Sequence, residues 1–189
     1  MLVAISGSQG SGKTTVLNEL AKKGYHVVER KTSRSIQKDW GYTLEEINAS
    51  KELTMKFQQE ILERKRDDEA PYIGGNEVAF TERTFADIFT YALLVLGKEP
   101  SCSTFLDQYY TLCHTTQRLY YSQVFLLEAG LFPVEWDVNR ASANKHYCKV
   151  VDRTLFDVTS EITEHNRVHV IGTADLNERV EYVLREINK

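Results

Sequence analysis

Residues 7–14 read Gly7-Ser8-Gln9-Gly10-Ser11-Gly12-Lys13-Thr14, so Gly7, Gly12, Lys13 and Thr14 complete the spacing Gly-x(4)-Gly-Lys-Thr. Glycines let backbone N–H groups turn inward and close on phosphate oxygens. A helix starting near Lys13 would aim its positive end at the same anion. The lysine would reach the β- and γ-phosphates, and the threonine hydroxyl would ligate Mg²⁺. This P-loop spacing predicts ATP and Mg²⁺ as cofactors. They would be held by Gly7, Ser8, Gln9, Gly10, Ser11, Gly12, Lys13, Thr14 and the following Thr15, with Lys13 also acting in the chemistry. The plain alternative is a glycine-rich turn with no ligand. A guanine-selecting Asn-Lys-x-Asp pattern fails at Asn144-Lys145-His146-Tyr147, which lacks the aspartate.

Other charged residues fall where strands should end. Glu82 follows an apolar run, inside Thr81-Glu82-Arg83-Thr84-Phe85-Ala86-Asp87. In an α/β sheet ligands bind at the strands' C-terminal edge. A carboxylate there would serve Mg²⁺ through water or orient an acceptor. Arg83 would contact the transferring phosphate; the alternative is a surface Glu-Arg pair opening a helix. Glu29 ends an earlier strand, with Arg30 and Arg34 after it, and would take a proton from an attacking hydroxyl unless it is a solvated loop charge. Arg140, Lys145, Lys149 and Arg153 form a basic series, and the last three share a helix face. Arg140 is the expected transition-state cation, and the other three read equally as a solvated face. Thr173, after Gly172, would lie against adenine or sit in a simple turn. The aromatics Phe105, Tyr109, Tyr110, Tyr120, Tyr121 and Phe125 read first as core, second as a base-stacking surface.

The elements that must position these residues are legible. Leu2 to Ser6 is an apolar run before the glycines, the pattern of a buried parallel strand. Val16, Leu17, Leu20 and Ala21 recur at helical spacing, and Gly24 sits where a C-terminal cap belongs. Tyr25 to Val28 completes a βαβ unit. Thr43 and Glu46 have capping-box spacing, and Ser50 precedes a helix carrying Leu53, Phe57 and Ile61 on one face. The charged run Glu63 to Glu69 reads as the solvated end of that helix. Further strands are expected at 78–81, 123–127 and 168–171. Helices are expected at 85–96, from 101 to about 118, and at 143–164. A last helix has a capping box at Asp175 and Glu178 and the stripe Leu176, Val180, Val183, Leu184 and Ile187. Alternating strands and helices imply an α/β layer sandwich around a parallel sheet built from these five strands.

The chain has 189 residues, 42% hydrophobic, which fits a single domain spanning 1–189. Its formal net charge of −4 weighs against a dedicated polyanion binder. Cys102, Cys113 and Cys148 form no CxxC or metal-ligand pattern and are expected as buried free thiols in a reduced cytoplasmic setting. No apolar run reaches the roughly 20 residues of a membrane span, and no signal peptide is seen.

Taken in order, these motifs resemble the small P-loop kinases of the thymidylate-kinase and deoxynucleoside-kinase group. They are similar above all to compact phage and bacterial AAA-type ATPase/kinase domains. The matches are Gly7 to Thr14, Glu29 at a strand end, Glu82-Arg83 with Asp87, and Asp137 with Arg140 in a helical lid over about 129–145. Glu82-Arg83-Thr84 resembles the Glu-Arg-Ser of the deoxynucleoside kinases, with Thr84 in place of the usual small residue. Gly172 through Asn177-Glu178-Arg179-Val180 resembles the group's closing strand, loop and helix. The resemblance implies a P-loop three-layer sandwich whose five-stranded parallel sheet has the third strand beside the first. It also implies γ-phosphoryl transfer from ATP·Mg²⁺ to a nucleoside or nucleotide, with Thr14 and Glu82 as metal residues. Glu29 becomes the base or the group that orients the acceptor, Asp87 a support for Arg83, and Arg83 and Arg140 charge-neutralising cations. One branch of the group phosphorylates 5-hydroxymethyluracil in phage DNA, so a hydroxymethylated DNA base joins the acceptors the resemblance allows. Two readings from other classes remain: an ATPase that drives a partner without transfer, and a nucleotide-binding interaction module.

Overall fold

The structure, a computed structural model, describes residues 1–29, 33–131 and 144–189. Five strands carry the architecture: β1 (Leu2–Ser6), β2 (His26–Val27), β3 (Ala79–Glu82), β4 (Gln123–Leu127) and β5 (Val168–Ile171). Helix α1 (Lys13–Lys22) follows β1, and α2 (Ser33–Trp40), α3 (Leu44–Asn48) and α4 (Lys51–Glu69) connect β2 to β3. Then come α5 (Phe85–Leu96), α6 (Ser103–Tyr120), α7 (Lys145–Ile162) and α8 (Leu176–Ile187). The sheet order is β2-β3-β1-β4-β5, every pairing parallel, with β3 beside β1 as expected.

Side chains alternate faces along a strand, so β1 feeds two cores. Leu2 and Ala4 pack with Phe85, Phe89, Tyr109 and Leu155 on the face covered by α4 to α7. Val3 and Ile5 pack with Val16, Leu20, Val180 and Val183 of α1 and α8 on the other. Every β1 residue is buried, which explains its unbroken apolar run. A third cluster, Ile36, Ile47 and Phe57, fastens α2 and α3 to α4. Most of the aromatics between 105 and 125 serve packing: Tyr109, Tyr121 and Phe125 are buried in the two main cores. All three cysteines are free and buried.

Capping sets several helix boundaries. Thr43 with Glu46 forms the expected capping box, and the Ser50 hydroxyl caps α4. At α8 only half of the expected box is present. Asp175 accepts from the Glu178 N–H, but the Glu178 carboxylate takes its proton donor from Thr173 instead. Gly24 has φ 91 just past α1, the left-handed residue that closes a helix.

One expectation is overturned. The run Glu63 to Glu69 is not simply a solvated helix end: Lys65 is 2% and Glu69 0% exposed, while Glu63, Arg66 and Asp67 face solvent. Gln58, Leu62, Lys65 and Glu69 recur at helical spacing, so the buried face of α4 runs on through its charged end. Lys65 and Glu69 neutralise each other there at 2.5 Å.

Candidate active site

The loop after β1 makes a tight crossing that only glycine permits at its ends. Gly7, Gly10 and Gly12 take φ 138, 77 and 90. A Cβ on Gly7 would stand 2.6 Å from the Leu127 carbonyl oxygen and 2.7 Å from Ser11 Oγ. Gly12 occupies the N-cap of α1 and offers no side-chain cap, so the first-turn N–H groups stay open to an anion. Lys13 is buried, and its Nζ donates to the Gly7 and Ser8 carbonyls, both at 2.9 Å. Thr14 and Thr15 open the helix and are exposed. Residues 7–15 thus come together as one cradle.

Two further anchors hold the cradle, and both escaped the sequence reading. Arg179 on α8 is 1% exposed; its Nη1 donates to the Ser11 carbonyl and its Nε to the Thr173 carbonyl, both at 2.6 Å. A charged residue inside the Leu176–Val180–Val183 stripe was the available clue. Asp152 on α7 accepts from the Ser8 hydroxyl at 3.2 Å, and one turn earlier Cys148 Sγ accepts from Gln9 Nε2 at 3.3 Å. Burial lifts the Asp152 carboxyl above the usual aspartate range; hydrogen bonds from Ser8 and the Ala129 backbone oppose the lift only in part. Its clue was an acidic residue between Cys148 and Leu155, on the inward face of a helix.

The end of β3 lies against this cradle, with Ile5 opposite Glu82 in the β1–β3 register. The Thr14 hydroxyl donates to Glu82 Oε2 at 3.2 Å. A hydroxyl and a carboxylate side by side are hard oxygen donors. They suit Mg²⁺, which commonly takes one or two protein oxygens and fills its shell with phosphates and waters. Arg83 then turns the chain into α5 with φ 67, the one non-glycine residue with positive φ among those described. Its guanidinium lies 3.6 Å from Asp87 Oδ1 and 5.1 Å from the centre of the Tyr91 ring. Asp87 is fully buried and accepts from Ser6 Oγ (2.6 Å), the Thr84 N–H (2.8 Å) and Thr84 Oγ1 (2.9 Å). Thr84 also caps α5 in a reciprocal capping box with Asp87. Its hydroxyl therefore ties the start of α5 to Asp87, which in turn holds the end of β1.

The remaining expected residues fall as follows. Glu29 is exposed just beyond β2. The register His26 to Ala79 and Val27 to Phe80, carried two positions on, brings Glu29 level with Glu82 at the same sheet edge. Thr173 spends its hydroxyl on Glu178 at 2.6 Å and lies at the β5 end of that edge. Lys149 and Arg153 are exposed on α7. Arg30, Asp137 and Arg140, and most of the lid expected at 129–145, lie outside the described residues. Gln58 is a further residue the sequence reading passed over. It is 5% exposed, and its Oε1 has no hydrogen-bond partner among the described residues. It sits two turns before Lys65 on α4, and Lys65 is at the β3 edge, so Gln58 stands beyond that edge.

A profile described as an AAA domain matches residues 2–179. The chain belongs to the AAA-domain family. No curated protein matches this AAA domain in sequence. Among solved structures it is similar to deoxyadenosine kinase from M. mycoides with bound dATP. The TM-score there is 0.74 at 16% identity, over 100% of both chains. It is also similar to thymidylate kinase from Ehrlichia chaffeensis, with TM-score 0.62 and 17% identity over 100% of this chain and 98% of that one. NadR protein in complex with NAD and AMP-PNP gives TM-score 0.69 at 12% identity, covering 100% of this chain but 49% of that one. The AAA domain therefore has the fold of the small P-loop deoxynucleoside and nucleotide kinases. Among its described residues no helix is long and apolar enough to cross a membrane.

Proposed function

We propose that this chain is an ATP-dependent kinase that moves the γ-phosphoryl group of ATP to a nucleoside hydroxyl or a nucleotide phosphate. The observation that carries the reading is the meeting of Thr14 with Glu82. It joins the phosphate cradle to a second acidic strand end, with Arg83 directly after it. That contact supports magnesium-assisted phosphate chemistry, and the fold shared with deoxynucleoside and nucleotide kinases favours transfer to an acceptor over simple hydrolysis.

In this reading the loop N–H groups and Lys13 grip the phosphates. Thr14 and Glu82 would hold Mg²⁺, which when bound neutralises charge on the β- and γ-phosphates. Glu29 takes the proton of the acceptor hydroxyl as its oxygen bonds to the γ-phosphorus. The bond to the β-phosphate oxygen breaks, and ADP leaves. Arg83, oriented by Asp87 and Tyr91, and Arg140 balance the charge of the transferring group. Thr173 would border the adenine. Gln58, with an amide edge to satisfy, would face the acceptor base. The identities of the kinases this fold is shared with support a deoxynucleoside or nucleotide as acceptor. A hydroxymethylated pyrimidine in DNA fits the same chemistry, since its CH₂OH is an ordinary alcohol nucleophile.

Labelled ATP·Mg²⁺ is incubated with nucleosides, nucleotides, and normal or hydroxymethylated DNA. Label on one acceptor class is the expected result. Free phosphate released at the same rate without any acceptor would instead show an ATPase, and bound but unturned ATP a binding module. Lys13→Ala is the control and loses the phosphate-dependent signal.

A further inference from the structure

We infer that Lys65 and Glu69 are positioning residues that lock the Glu82–Arg83 elbow in its strained conformation. The inference rests on the reading of Glu82 as a magnesium-side carboxylate and extends it to a pair that nothing in the phosphate-loop chemistry requires.

Arg83 sits at φ 67, in the left-handed region that a residue with a Cβ rarely adopts. Such a turn survives only where its surroundings over-determine it. The turn also aims two backbone carbonyls at α4 rather than along the sheet. Lys65 Nζ answers both, at 3.0 Å to the Arg83 oxygen and 3.4 Å to the Glu82 oxygen. The ammonium is 2% exposed, lies 5.5 Å from the centre of the Phe85 ring and 5.7 Å from that of Tyr121, and is neutralised by Glu69 at 2.5 Å. Glu69 is in turn fixed by Thr81 Oγ1 at 2.5 Å and the Tyr121 hydroxyl at 2.7 Å.

Thr81 belongs to β3, immediately before Glu82. The network therefore grips the strand on both sides of the elbow. It sends the Glu82 side chain toward Thr14 and leaves Arg83 beside Asp87 and Tyr91. A buried ion pair is a poor way to add stability, because an apolar pair of similar volume commonly does as well. Its distinctive contribution is directional: an ammonium can hold two carbonyls at once, and a methionine can hold neither.

The test uses the double variant Lys65→Met with Glu69→Gln. It removes both charges together and keeps one acceptor oxygen for Thr81 or Tyr121, the amide NH₂ donating to the other hydroxyl. Isothermal titration of ATP with and without Mg²⁺ gives the factor by which Mg²⁺ tightens binding, and thermal melts report the fold. The expected result is a melting temperature close to wild type with the Mg²⁺ enhancement down about ten-fold and Mg²⁺-free ATP affinity unchanged. Lys65→Arg, which keeps a cationic donor, should recover most of the enhancement. Tyr121→Phe takes a single donor from Glu69 and should cost about two-fold. If the double variant does not fold, Tyr121→Phe decides alone. Either folded variant keeping the full wild-type enhancement overturns the inference, as would a wild type whose ATP binding ignores Mg²⁺. A wild type that shows the enhancement but transfers phosphate to no acceptor removes the kinase reading and leaves this result standing.

Discussion

The Thr14 hydroxyl donates to the Glu82 carboxylate at 3.2 Å across a separation of 68 positions. The contact joins the first turn of α1 to the end of β3, so it depends on β3 pairing directly with β1. Glu82→Gln keeps the size and the acceptor but removes the charge. It should leave ATP binding without Mg²⁺ intact and lower phosphoryl transfer by about 10²–10³-fold, the range for losing one preorganised charge-stabilising group. Single-turnover rates at saturating ATP measure it.

Gly7 has no room for a side chain. Its φ is 138, and an added Cβ would stand 2.6 Å from a backbone oxygen in β4, which cannot swing away. Gly7→Ala should destabilise the fold by on the order of 2 kcal/mol and abolish ATP binding. Urea unfolding and an ATP titration on the same preparation report the two effects.

Arg179 braces the phosphate loop from α8 through the Ser11 and Thr173 carbonyls. Arg179→Met preserves bulk but leaves these acceptors without their donor. A loss of about 1–3 kcal/mol in unfolding free energy is expected, together with weaker ATP binding. Arg179→Lys should restore only part of both, because one ammonium cannot reproduce the fork of the guanidinium. Denaturant midpoints and ATP titration give the comparison.

Asp152 supplies a pH dependence with a definite sign. Burial raises its folded pKa above the ordinary aspartate value. Between that ordinary value and the raised one, the folded chain binds more protons than the unfolded chain. Stability contributed by this site therefore falls as pH climbs through the window. Asp152→Asn retains an acceptor for Ser8 and has no proton to lose. Its melting temperature relative to wild type should rise across the window and level off above it. Melts in steps from pH 3.5 to 7 trace the curve.

Much of this protein was written locally in its sequence. The loop spacing from Gly7 to Thr14 specifies its own backbone, because glycine φ values and the following helix start are short-range properties. The buried run Leu2–Ser6, the caps at Thr43 and Ser50 and the stripe of α8 were equally readable, since each follows from periodicity or a side chain's bond to its own backbone. The placement of β3 beside β1 was foreseeable only through the family resemblance, because the alternation of strands and helices leaves strand order open. The inward charges were not. Lys65 and Glu69 continue the four-residue spacing of Leu53, Phe57 and Ile61, and Arg179 interrupts an apolar stripe. A charge on a helix faces water unless a distant group offers a better partner. Those partners are the Arg83 carbonyl and Tyr121 for the α4 pair, and the Ser11 carbonyl for Arg179. They come from other strands and loops, so only the packing of the tertiary structure could decide which charges turn inward and steady the site.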